Sequence, residues 1–296
     1  MLINKLLPIL VFFIAGYGLK RGGVFKKEDG ALFLRAVLYL CIPAIGFATF
    51  SRMEMRIDRI YPIITALFVI TGNFLITSLY FKKLGVEARQ YTVYMLATIV
   101  LNTSLMLPFA QAKWGDEGAA MVLLFDICHV TLVFTFSYWV AMRFGNDREG
   151  RVPFKKILRL PPLWGIFLGL AVNVIHLPVP AFVYEITDIA AKGLILLMMT
   201  ALGIFFELKI KHWRLVFGAL LQRSAGGFIL GWIITWLLGV QGVERQIILL
   251  IAAAPVGFNT LVLSDLEHLD RDLAAEMVTS ATLLAVIFLP VILIIL

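Results

Sequence analysis

Long apolar runs separated by short polar connections dominate this chain and restrict the folds that it can adopt. Of its 296 residues, 61% are hydrophobic and 15% are charged, whereas a soluble domain has about 45–50% apolar and about 25% charged residues. A helix that crosses a bilayer needs about 20 mostly apolar residues. The sequence therefore predicts an all-α membrane protein whose ten spans lie approximately at 2–19, 31–50, 61–81, 91–111, 118–142, 161–178, 187–206, 214–239, 244–264 and 273–295.

The basic residues lie in the short connections between spans rather than in one patch, although the net charge is +7. This distribution is typical of cytoplasmic loops and does not indicate binding to nucleic acid. The connections that follow the odd-numbered spans carry most of the 26 Lys and Arg residues. Because basic loops stay in the cytoplasm, we expect both termini to face the periplasm or exterior of a bacterial-type inner (plasma) membrane.

The two halves of the chain share a pattern of small residues. Ala119, at the start of the fifth span, and Ala274, at the start of the tenth, are 155 residues apart, and other paired features have nearly the same offset. Because five is an odd number, two five-span repeats must have opposite orientations, as in many secondary transporters. We predict a first repeat over 1–142, a cytoplasmic linker over 143–160 and a second, inverted repeat over 161–296.

Two predicted spans are interrupted at matching places, the fourth around Asn102 and Pro108 and the ninth around Pro255 and Asn259. Proline breaks a helix, and broken helices in a bilayer lie against protein or a water-filled cavity. Matching breaks in two repeats mark the binding sites of carriers, and free half-helix N-termini favour carboxylate or phosphate. The alternative is a pair of kinks whose asparagines bond to neighbouring helices. The predicted substrate-binding residues are Asn102, Thr103, Ser104, Pro108, Pro255, Asn259 and Thr260.

Asp126 and His129 are three residues apart in the fifth span and therefore share one helix face. An aspartate at the bilayer centre costs about 2.5–3.5 kcal/mol on insertion scales, so it usually has a partner. The pair is consistent with a proton relay, a cation ligand or a structural anchor. A transition-metal site would need further ligands that the sequence does not place, so we expect no metal.

Arg223 lies about nine residues, or about 13 Å, inside the eighth span. The favoured interpretation is that its side chain snorkels to the cytoplasmic surface. The alternatives are pairing with Asp126, with Glu207 or with an anionic substrate. We assign Asp126, His129 and Arg223 together to coupling or structural roles.

Signatures of catalysis are missing from the sequence, which contains no G-x-S-x-G, H-E-x-x-H or P-loop motif. We therefore expect no catalytic residues, no cofactor and no ATP hydrolysis. Any movement of a solute would then use gradients or the membrane potential.

The chain resembles the auxin efflux carrier family over essentially its whole length, and three segments carry this resemblance. The run LNTSLMLPFAQAKWGDEGAAMVLLFD (101–126) resembles its fourth-to-fifth-span region, LYLCIPAIGFATF (38–50) its second span and AAAPVGFNTLVLS (252–264) its ninth. The resemblance implies a fold shared with bile acid/sodium symporters. In that fold a scaffold domain and a transport domain, each drawn from both repeats, move by an elevator-type mechanism.

The resemblance also implies that Asn102, Pro108, Pro255 and Asn259 form the crossover of broken helices at the binding site. Family members carry organic anions, and they suggest a homodimer. The leading hypothesis is therefore a secondary transporter of a small organic anion such as a mono- or dicarboxylate. The alternatives are a carrier of an amphipathic solute coupled to Na⁺ or H⁺, and a membrane sensor that binds without transporting.

Overall fold

The computed structural model of the chain describes residues 2–52, 60–145, 155, 158–206 and 210–295. Within these ranges the regular structure is helical and no strand is present beyond one isolated bridge, which confirms the predicted all-α class. The helices are α1 (Leu2–Arg21), α2 (Gly30–Ala36), α3 (Ile42–Ser51), α4 (Tyr61–Leu84), α5 (Ala88–Ile99), α6 (Thr103–Leu132), α7 (Tyr138–Gly145), α8 (Pro161–Val174), α9 (Ala181–Phe205), α10 (Trp213–Leu221), α11 (Gly227–Leu237), α12 (Gly242–Ala252), α13 (Asn259–Leu266) and α14 (Arg271–Ile295).

Several helical stretches are long and apolar enough to cross a membrane, which agrees with an integral membrane protein. In the described part of the chain there are five, at Lys27–Ser51, Tyr61–Leu79, Glu117–Arg143, Ala181–Phe205 and Trp213–Leu237. Helix α8 is apolar but shorter. The full count of ten spans therefore stays a prediction.

The helices depart from regular geometry at the places where the sequence predicts interruptions. Helix α5 ends at Ile99 and α6 begins at Thr103, while α12 ends at Ala252 and α13 begins at Asn259. The break in the fourth predicted span thus precedes Pro108, whose backbone is helical. Within α6, Gly115 adopts a left-handed φ of 61° and kinks the helix where the connection between the fourth and fifth spans was expected.

Single π-helical turns occur at Val37–Cys41, Val133–Ser137 and Gln222–Gly226. The first directly precedes α3, whose second residue is Pro43, so the second predicted span is irregular. Such bulges insert one extra residue into a helix and often lie at functional sites. The third contains Arg223.

One compact unit contains Ile3–Arg56 and Pro153–Phe206, so it draws on both halves of the chain. Within it, α3 and α8 approach so closely that a Cβ atom on Gly165 would collide with the backbone of Pro43. Gly169, four residues further along α8, meets the backbone of α3 in the same way. Small residues at this spacing allow membrane helices to pack backbone against backbone.

A second compact unit contains Ile57–Val152 and Glu207–Leu296. Its core includes α5 and α12, which are buried without interruption over 91–99 and 247–252. A helix that is buried on all sides lies at the centre of its unit. Both central helices end at the breaks described above, so the breaks lie in the interior. The predicted repeat boundaries stay a prediction, and most of the predicted linker, 143–160, lies outside the described residues.

Candidate functional site

The two helix breaks meet in the second unit, where the extended segments after α5 and α12 pair in antiparallel fashion. The N–H of Asn102 donates to the carbonyl of Pro255 at 2.9 Å, and the N–H of Gly257 donates to the carbonyl of Val100 at 2.9 Å. Leu101 faces Val256 between these two bonds. We call this paired segment, 100–102 with 255–257, the crossover.

Gly257 makes the crossover possible because the two backbones come too close for a side chain. A Cβ atom at this position would collide with the carbonyl of Leu101. The crossover lies in an apolar interior, since Val100, Leu101 and Val256 are at most 2% exposed. In such an interior each backbone N–H and C=O must find a partner, and the pairing supplies one for several of them.

Asn102 ends the crossover and starts α6. Its Oδ1 accepts a hydrogen bond from the N–H of Leu105 at 3.3 Å and so caps the helix. The Nδ2 group of the same amide is buried and has no hydrogen-bond partner. An unsatisfied buried donor costs about 1–3 kcal/mol, so this Nδ2 group is a candidate contact for a further group.

Asp126 and His129 hold the crossover from α6. The N–H of Leu101 donates to Nε2 of His129 at 3.0 Å. Because an amide N–H can only donate, Nε2 is the unprotonated nitrogen, and the proton lies on Nδ1, 3.0 Å from Oδ1 of Asp126. Thr103 Oγ1 donates to the same carboxylate oxygen at 2.5 Å. His129 is therefore neutral in this arrangement, and the carboxylate fixes its tautomer.

The side chain of Asp126 is less buried than that of its partner His129. Its side chain is 28% exposed, whereas that of His129 is 2% exposed. The contacts with Thr103 and His129 are those that a structural anchor would make, and that role stays a prediction. A coupling role for Asp126 stays a prediction.

The other residues predicted for the site lie at or beside the second break. Pro255 supplies a carbonyl to the crossover, Asn259 begins α13 and is partly exposed, and Thr260 is fully buried with a hydroxyl that has no hydrogen-bond partner. The backbones of Ser104 and Pro108 are helical, and their side chains lie outside the described residues.

The expectation that Arg223 snorkels to the cytoplasmic surface is wrong. The side chain is 0% exposed, and its guanidinium donates to the carbonyls of Thr98 at 2.9 Å, Ala252 at 2.5 Å and Ala254 at 3.2 Å. The π-helical turn directs it inward onto the ends of α5 and α12. Its acceptors are main-chain carbonyls, whereas the carboxylate of Asp126 binds Thr103 and His129; Glu207 lies outside the described residues.

A polar cluster beside Arg223 was not expected from the sequence. Gln222 Nε2 donates to Thr77 Oγ1 at 2.8 Å, and Tyr94 Oη donates to Gln222 Oε1 at 3.2 Å. Thr77 and Thr98 share a hydrogen bond of 2.9 Å. The sequence shows only that these polar residues lie in apolar runs. Thr77 and Thr98 are 21 positions apart, and Gln222 is 128 positions from Tyr94 and 145 from Thr77, so the pairing has no local signal.

An apolar, all-helical chain whose broken helices cross at a buried polar point is typical of membrane transporters. Residues 1–153 match the family described as membrane transport protein, and the chain belongs to this family. Residues 193–296 match the sodium bile acid symporter family. Together these matches confirm the resemblance to auxin efflux carriers and their bile acid symporter-like fold.

Two archaeal relatives cover nearly the whole chain. A protein of Methanothermobacter thermautotrophicus is 26% identical over 298 aligned positions, which cover 97% of this chain and 96% of the relative. A protein of Methanocaldococcus jannaschii is 24% identical and covers 94% of both chains. Each is named an uncharacterized transporter. The chain is thus a membrane transporter and not an enzyme, as predicted.

Proposed function

We propose that this protein is a secondary transporter of a small organic anion, a mono- or dicarboxylate, that binds at the crossover. In the same proposal ten spans form two inverted repeats, and the protein is a homodimer. The transport domain moves against the scaffold domain in an elevator-type movement, which provides alternating access. The membrane is a bacterial-type inner membrane with both termini outside. The family match supports transport, and the site supports the choice of solute.

The observation that carries the proposal is the Nδ2 group of Asn102. It is a buried donor without a partner, placed at the N-terminus of a long helix. The N-terminal end of a helix carries about half a positive charge, and its free N–H groups bind anions. A carboxylate at this point would accept a hydrogen bond from Nδ2 and lie against the positive end of α6. Thr260 offers a second buried polar group without a partner, a hydroxyl at the start of α13.

An uptake assay in proteoliposomes tests the proposal. Radiolabelled acetate, pyruvate, malonate and succinate are offered to vesicles with the purified protein and to empty vesicles. We expect protein-dependent uptake of at least one, and a large loss in the Asn102→Ala/Asn259→Ala double variant. Thr131→Ala is the control, because the Thr131 hydroxyl bonds only within its own helix, to the carbonyl of Ile127. Absence of uptake, or equal uptake by the double variant, would contradict the proposal.

A second candidate is a carrier of an amphipathic solute coupled to Na⁺ or H⁺. It is favoured by the match of residues 193–296 to sodium bile acid symporters and by the partly exposed side chain of Asp126. Binding of a cation there would neutralise the aspartate when an anion occupies the crossover. Uptake of taurocholate that requires an imposed sodium or proton gradient, and that is lost in Asp126→Asn, would favour this candidate over the first.

A further inference from the structure

Arg223 is the largest fully buried side chain in the described part of the chain, and the proposed substrate site does not use it. A charge inside a membrane protein is costly unless it is paired. Its presence therefore needs an explanation in terms of the groups that surround it.

The three acceptors of Arg223 share one property, which is that each lies at the end of a broken helix. Thr98 is in the last turn of α5, Ala252 is the last residue of α12, and Ala254 lies in the unwound segment that follows. Carbonyls at such ends have no partner within the helix. Each helix C-terminus carries about half a negative charge, so one guanidinium balances the two ends that converge on it.

The site around the guanidinium is built to hold it. A Cβ atom on Gly227 would collide with Nη2 of Arg223 and with the carbonyl of Ala252. The adjacent Gln222 is fixed by hydrogen bonds with Thr77 and Tyr94. The side chain of Arg223 and its acceptors therefore form one hydrogen-bonded cluster at the helix ends that lead into the crossover.

Carriers with broken helices place coupling sodium ions at such unwound carbonyls and half-helix C-termini. We propose that Arg223 is a positioning residue that supplies a tethered cation to these carbonyls, so that the crossover holds its shape without bound sodium. The inference rests on the proposed function, since it specifies which cation that site requires. Coupling would then use another group, and the partly exposed Asp126 is the candidate.

The test measures the melting midpoint of purified protein in choline chloride, sodium chloride and low millimolar guanidinium chloride at equal ionic strength. We expect the wild-type midpoint to be the same in sodium and choline. Arg223→Ala should melt about 5 °C or more below wild type and recover at least half of this loss in guanidinium. Arg223→Leu fills the space and should not recover. Arg223→Lys should keep most of the stability because an ammonium group has three donors.

Arg214→Ala is the matched control, since Arg214 is an exposed arginine at the start of the same predicted span. Its midpoint should match wild type in each salt. A saturable rise of the midpoint with sodium over choline that persists in Asp126→Asn would overturn the inference, as would equal effects of guanidinium on Arg223→Ala and Arg223→Leu. If neither variant can be purified, the sodium comparison on wild type and Asp126→Asn and the behaviour of Arg223→Lys decide.

This assay contains no carboxylate, so its outcome is separate from that of the uptake assay. Guanidinium rescue without carboxylate uptake would retain the tethered cation and reject the proposed solute. Carboxylate uptake that requires sodium, and still requires it in Asp126→Asn, would retain the solute and reject the tethered cation.

Discussion

The side-chain amide of Asn102 has its two ends in different surroundings. Oδ1 caps α6 by accepting from Leu105, whereas Nδ2 is buried without a partner. A substitution that keeps an acceptor but removes the donor separates helix capping from substrate binding. Aspartate does this, because it is as good a cap as asparagine and has no N–H.

Asn102→Asp should therefore keep the helix cap while losing carboxylate uptake by about tenfold or more, since a hydrogen bond to a charged group contributes about 1.5–3 kcal/mol and the added negative charge repels the anion. Because the new charge is buried, we expect a lower melting midpoint as well. Asn102→Ala should lose uptake and also about 1 kcal/mol of stability with the cap. Proteoliposome uptake and thermal unfolding of the same preparations measure the two effects. Uptake by Asn102→Asp at the wild-type rate would show that Nδ2 does not bind the substrate.

His129 carries a second residue-level prediction. Its Nε2 accepts from Leu101 at the crossover, so His129→Phe leaves a buried N–H without a partner, at a cost of about 1–3 kcal/mol. His129→Gln keeps an acceptor and should be milder. Thermal unfolding compares the two variants, and equal midpoints for them would contradict the assigned hydrogen bond.

At the scale of elements, the crossover depends on the absence of a side chain at one position. Gly257→Ala would push a methyl group into the carbonyl of Leu101, and overpacking of this kind costs about 1–3 kcal/mol. We expect a lower melting midpoint together with loss of uptake. Gly18→Ala is the control, because a Cβ atom there meets nothing within 4 Å; it should leave both properties unchanged. A Gly257→Ala variant as stable as Gly18→Ala would show that the backbones are further apart.

How far the sequence predicts these elements depends on the range of the interactions involved. Hydropathy and proline placement are local, so the apolar helices and the second break were predictable, whereas the first break lies before Pro108, at 100–102. The inward direction of Arg223 was not, because one of its carbonyl partners is 125 residues away and the π-helical turn that aims it leaves no local signal. For the same reason, the sequence placed Asp126 and His129 on one face but did not show that His129 accepts from Leu101.

At the scale of the whole molecule, the distribution of basic residues predicts the orientation in the membrane. Glu87 and Gln241 are both exposed and lie in connections assigned to opposite sides. In a background with Cys41→Ala and Cys128→Ala, an impermeant maleimide should label Gln241→Cys on intact cells and label Glu87→Cys only after lysis. The reverse pattern would invert the orientation, and labelling of both on intact cells would contradict the predicted number of spans between them.

The central claim is that a carboxylate binds at the crossover, and an experimental map of the purified protein with a transported carboxylate tests it most directly. We predict density for the carboxylate within hydrogen-bond distance of Asn102 Nδ2, at the N-terminus of α6, and no such density in Asn102→Asp under the same conditions. Density for the solute elsewhere, with Nδ2 of Asn102 still unpartnered, would contradict the claim.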